Sequence, residues 1–114
     1  MPMSELAARK CKPCEGGMPP LDRSAAQQLL QQLAGGWTLA QEGRAIRREF
    51  GFRDFYRTMS FVNALAHMAN IEDHHPDLEV GYNYCHVTYT THAIRGLSEN
   101  DFVCAAKLDL IPIA

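Results

Sequence analysis

The sequence predicts an α+β domain of two layers, a four-stranded antiparallel sheet with helices packed on one face, in the order α-β-β-α-β-β-α. Three observations lead there. Helix-type segments occur around residues 24–33, from 54 to about 70, and after Ser98. Two pairs of strand-like runs lie between them, each pair joined by a short turn, which makes the paired strands antiparallel. With 114 residues, 46% of them hydrophobic, the chain has room for one domain and a modest core.

Residues 1–20 read as a flexible leader of low structural content, preceding a single domain over 21–114. Cys11-Lys12-Pro13-Cys14 is followed by Glu15-Gly16-Gly17-Met18-Pro19-Pro20, and glycine and proline at that density oppose helix and strand alike. Cys11 and Cys14 form one CxxC. That pair alone does not complete a tetrahedral zinc site, and a redox pair or an inert leader are the other readings.

The first helix starts near Asp22 or Ser24, either of which can cap it. Leu29, Leu30 and Leu33 form its apolar face, and Gly35-Gly36 ends it. Trp37–Ala40 reads as a short strand, Gln41-Glu42-Gly43 as a turn, and Arg44–Phe52 as the returning strand anchored by Ile46 and Phe50. Arg44, Arg47, Arg48, Arg53 and Arg57 form a loose basic cluster, read as a solvated face or as a lure for an anionic ligand.

From Asp54 to about Asn70, Phe55, Met59, Val62, Ala66 and Ala69 recur at helical spacing. Phe61, Leu65 and Met68 widen that stripe, while His67 falls on the other face. Leu78, Val80 and Tyr82 then alternate with Asp77, Glu79 and Gly81, as on a strand. After a turn at Gly81–Tyr84, Cys85, Val87 and Tyr89 alternate with His86 and Thr88 through to Thr91-His92. Arg95-Gly96-Leu97 is a turn. Ser98 caps the last helix, with Asp101 placed to reach back to it. Its buried face is Phe102, Ala105 or Ala106, and Leu108, and Leu110–Ala114 is an apolar tail.

Charge excludes some functions. The net charge is -2 and the signs are mixed, so nothing marks a nucleic-acid partner. No run of eighteen or more apolar residues exists to span a bilayer, and Met1–Lys12 lacks a signal-like apolar core. The expected compartment is the cytoplasm, with the four cysteines reduced.

Two of the five histidines, His74 and His75, fall in Asp73-His74-His75-Pro76-Asp77, and His92 follows near the end of the next strand-like run. Pro76 pushes His75 towards extended backbone, so the pair sits where helix gives way to strand. Imidazole is the side chain best suited to proton transfer near neutral pH. The residue types alone leave three readings open: a polar loop with an unrelated strand-end histidine, a zinc site, or acid–base catalysis without metal. Phosphate loops of the GxGxxG or P-loop kind are absent.

The run HHP, five residues, Tyr82, nine residues, His92, eight residues, Asp101 closely resembles the pattern of the pterin-4a-carbinolamine dehydratases. Thr91-His92, Gly96-Leu97-Ser98, Asp101-Phe102 and the Gly35-Gly36-Trp37 turn also fit, over roughly residues 20–110. The resemblance implies a hydro-lyase that converts 4a-hydroxytetrahydropterin to quinonoid dihydropterin, recycling the pterin of aromatic amino-acid hydroxylases, phenylalanine hydroxylase above all. It implies homodimers or homotetramers, with no metal and no bound cofactor. His74 and His92 map onto the family's two core acid–base histidines, and His75 onto a histidine that mainly binds substrate. The implied pocket is His74, His75, Pro76, Thr91, His92, Ala93 and Ile94, supported by Asp73, Tyr82 and Asp101. Asn70 departs from the family, which usually carries a charged residue there; Glu72 or Asp73 is the substitute at hand. The resemblance also carries a second reading, a dimerisation cofactor or coactivator acting through helix surfaces.

Overall fold

A computed structural model describes residues 2–12 and 19–112, and within these the side chains from Glu5 onward. Cys14 and the glycine pair of the leader lie outside the described residues. Four helices, α1 (Pro2–Ala8), α2 (Arg23–Leu30), α3 (Phe55–Glu72) and α4 (Glu99–Asp109), accompany four strands. The strands are β1 (Thr38–Ala40), β2 (Ala45–Gly51), β3 (Asp77–Val80) and β4 (Tyr84–Tyr89). They form one antiparallel sheet in the order β1-β2-β4-β3, so the predicted α+β architecture holds.

Register separates the two faces of the sheet. Ile46 opposite Tyr89, Arg48 opposite Val87 and Phe50 opposite Cys85 point one way, into the core with Trp37, Leu65 and Phe102. Arg47 opposite Thr88 and Glu49 opposite His86 point the other way. There Arg47 bonds Glu79 at 2.7 Å and Glu49 at 3.2 Å. Elsewhere Arg57 pairs with Asp54 and Arg48 with Asp109, so three of the five arginines have separate acidic partners.

Several expectations need correction. The first part of the leader is helix α1, and its Leu6 is fully buried in the main core. Helix α1 packs on α4, and α4 is buried almost all round, including Val103 and Cys104. Helix α2 stops at Leu30, before the glycine pair; Asp22 is its cap, accepting from Ala25 N–H at 2.8 Å. The buried stripe of α3 is Thr58, Phe61, Leu65 and Ala69. Phe55 and Ala66 face solvent, because the contact line with the sheet follows the rows through Phe61 and Leu65.

Strand β4 also ends sooner than its composition suggests. Pairing stops at Tyr89; Thr91 and Gly96 form an isolated bridge, and His92–Ile94 is a single 3-10 turn. Arg95 closes that turn at φ 57°. Gly96 is needed as well, since a Cβ there would stand 2.6 Å from Pro20 Cβ. The turn, not a continuing strand, aims His92.

Candidate active site

The C-terminal end of α3 sets the first histidine. Asp73 takes the left-handed conformation (φ 53°) and caps the helix, its N–H bonding to the Ala69 carbonyl. His74 N–H reaches the same carbonyl at 3.2 Å, and the chain then leaves as β3. His74 is therefore held from its backbone outward.

Its ring is held as firmly. Nε2–H donates to Asp101 Oδ1 at 2.6 Å, and the ring lies parallel to that of Tyr89, 5.8 Å away between centroids. Asp101 is fully buried at the start of α4. Its Oδ2 accepts from Thr91 Oγ1–H at 2.9 Å and from Ser98 N–H at 3.0 Å. One carboxylate thus completes the capping box of α4, ties down the chain after β4, and fixes the ring of His74. With Nε2 engaged, Nδ1 is the nitrogen left for a bound molecule.

His75 is exposed, and its Nε2–H donates to Asn70 Oδ1 at 3.1 Å. The residue that departs from the resembled pattern is the one that orients the second histidine. His92 is exposed, and its ring has no hydrogen-bond partner among the described residues.

These side chains surround a pocket of about 480 Å³, within the usual range for small-molecule sites. Asp73, His74, His75, Thr91, His92 and Ala93 line it. Cys11, Lys12, Glu72, Thr90 and Asn100 line it too; the sequence drew attention to Glu72, and to Cys11 only as part of the CxxC. Glu72 sits at 5% side-chain exposure and accepts Cys11 N–H at 2.9 Å. Burial pushes its carboxyl up, but the Cys11 N–H, Lys107 and Lys10 outweigh burial and hold it below the usual range.

Three expected site residues lie elsewhere. Tyr82, expected as support, lies in the turn between β3 and β4, 65% exposed and stacked on Phe55, and does not line the pocket. Pro76 and Ile94, expected in the pocket, do not line it, Ile94 being buried at the end of the 3-10 turn. Period-two spacing hid this, because the chain leaves strand geometry at Gly81 and again after Tyr89.

Fold and site together define a class: a two-layer α+β protein with a histidine-lined pocket where the end of a long helix meets the start of another. The family model described as "Pterin 4 alpha carbinolamine dehydratase" matches residues 19–111, and the chain belongs to that family. It is 60% identical over 110 residues to a protein of Nitrosomonas eutropha named for this dehydratase activity, covering 96% of each chain. A Legionella pneumophila protein with the same name is 54% identical over 106 residues, covering 93% of this chain and 94% of the other. The crystal structure of a Brucella melitensis "transcriptional coactivator/pterin dehydratase" superposes with a TM-score of 0.75 at 34% identity. It covers 79% of this chain and 95% of that one.

Proposed function

We propose that the pocket dehydrates a 4a-hydroxytetrahydropterin to the quinonoid dihydropterin by histidine acid–base chemistry. The observation that carries this reading is His74, with Nε2 committed to buried Asp101 and Nδ1 left to the pocket that it shares with His92. The N5 lone pair of the substrate forms the N5=C4a bond as the C4a–O bond breaks. A protonated imidazole gives its proton to the departing hydroxyl, which leaves as water. A neutral imidazole then takes the N5 proton, giving the quinonoid product.

His74 and His92 serve as the general acids for loss of the hydroxyl, one on each side of the ring. His75, held by Asn70, binds the pterin. An imidazole titrates close enough to neutral pH to supply both protonation states. In the same reading the product returns tetrahydropterin to aromatic amino-acid hydroxylation in the cytoplasm, phenylalanine hydroxylase being the associated enzyme, and the chain works as a homodimer or homotetramer.

Stopped-flow decay of the 4a-carbinolamine tests the assignment. His74→Ala and His92→Ala should each slow turnover by about 10²–10⁴-fold while the circular dichroism spectrum stays that of the wild type. The double variant should lose nearly all catalysis, and wild-type-like decay in it would overturn the proposal.

A further inference from the structure

Two thiols meet where the N-terminal segment crosses α4. Cys11 Sγ lies 3.2 Å from Cys104 Sγ and 3.7 Å from the Asn100 carbonyl oxygen. Cys104 is fully buried, whereas Cys11 is partly exposed. Their approach is imposed by backbone docking on both sides. Cys11 N–H donates to Glu72 Oε1 at 2.9 Å. The Asn100 side chain accepts Lys12 N–H at 3.0 Å and donates to the Lys12 carbonyl at 2.5 Å, pairing with that residue as a neighbouring strand would. This strap belongs to the pocket wall, yet it precedes residues 19–111, which the family model matches.

We propose that Cys11 and Cys104 are a redox pair, and that a peroxide converts them to a disulfide that bolts the strap to α4 beside the histidine pocket. Cys11, the reachable thiol, attacks one peroxide oxygen as the thiolate. The O–O bond breaks, Cys11 becomes a sulfenic acid, and the expelled oxygen takes a proton. Cys104 sulfur then attacks Cys11 sulfur; the S–O bond breaks and water leaves with the Cys104 proton. With hydrogen peroxide, two thiols and one peroxide give one disulfide and two waters. The Cys11 contact and burial both push the Cys104 thiol up, so the first attack on the peroxide falls to Cys11, the more accessible of the two. The disulfide closes a loop between residues 93 positions apart, a long span for restricting the unfolded chain. It also fixes one wall of the pocket, so oxidation alters KM more than kcat; this last consequence alone rests on the dehydratase reading.

The test uses the full chain, reduced and then treated with a stoichiometric amount of hydrogen peroxide. Digestion without reductant should yield a peptide joining Cys11 to Cys104, lighter than its two parts by two hydrogens. The melting temperature should rise by about 5 °C or more and fall back with dithiothreitol. Cys104→Ala should abolish both the cross-link and the rise. Cys11 found mainly joined to Cys14 or to a second copy, or oxidised with no disulfide, would overturn the proposal, as would an equal rise in C104A. The peptide map is decided independently of any dehydratase assay, so failure of the activity assignment leaves it readable.

Discussion

Asp101 spends its acceptor capacity inside the protein, on the His74 ring, the Thr91 hydroxyl and the Ser98 amide. A carboxylate so occupied cannot swing, and neither can the imidazole it holds. Asp101→Asn keeps the shape but offers one oxygen in place of two. Turnover should fall by up to about 10²-fold with KM changed little, as read by steady-state carbinolamine kinetics. Part of this was legible in the sequence: Ser98 and Asp101 have capping-box spacing, and the HHP run has few structural uses. The bond between Asp101 and His74 was not, because it joins residues 27 apart whose meeting depends on how α4 packs. Asn70 shows the complementary gap. The resemblance marked it as a departure, but only the last turn of α3 shows that it reaches His75.

Among the elements, those with strong local signals are where the sequence placed them: β2, α3 and α4 lie within a few residues of their expected bounds. The misreadings share a cause. Helix α1 is seven residues long, too short to announce itself by periodicity, and exists because α4 gives Leu6 a place to be buried. Likewise β4 retains strand composition past Tyr89, but the Thr91–Gly96 bridge folds it into a turn. Leu6→Ala should therefore cost about 2–5 kcal/mol, a core value, when measured by urea unfolding. A change below about 0.5 kcal/mol would restore the view of α1 as a dispensable leader.

Over the whole molecule, the pocket is assembled from three distant stretches: the strap at 11–12, the end of α3 with the turn after it, and residues 90–100. Glu72 joins the first two. Its carboxyl is held below the ordinary value of 4.5, so its contribution to folding is present above that value and is lost as pH falls through the lower, folded one. Acid titration should therefore weaken the protein below about pH 4.5, and Glu72→Gln should flatten that part of the stability profile in denaturant melts. Long-range closure of this kind leaves no local trace, which is why Lys12 and Asn100 passed unmarked, and Cys11 was noted only for its CxxC, while the histidines stood out.

Helix α4 is fastened at both ends by buried carboxylates. Asp101 holds its first turn to His74 and Thr91, and Asp109 at its last residue accepts Trp37 Nε1–H at 2.9 Å and Arg48 at 2.6 Å. It is a beam clamped at each end, one clamp at the histidine pocket and the other on β2 and the residue before β1. Loosening the far clamp frees the beam that carries Asp101 and the pocket-lining Asn100. The sharpness of the pocket thus rests in part on Trp37 and Arg48, and a change there can loosen it without touching it.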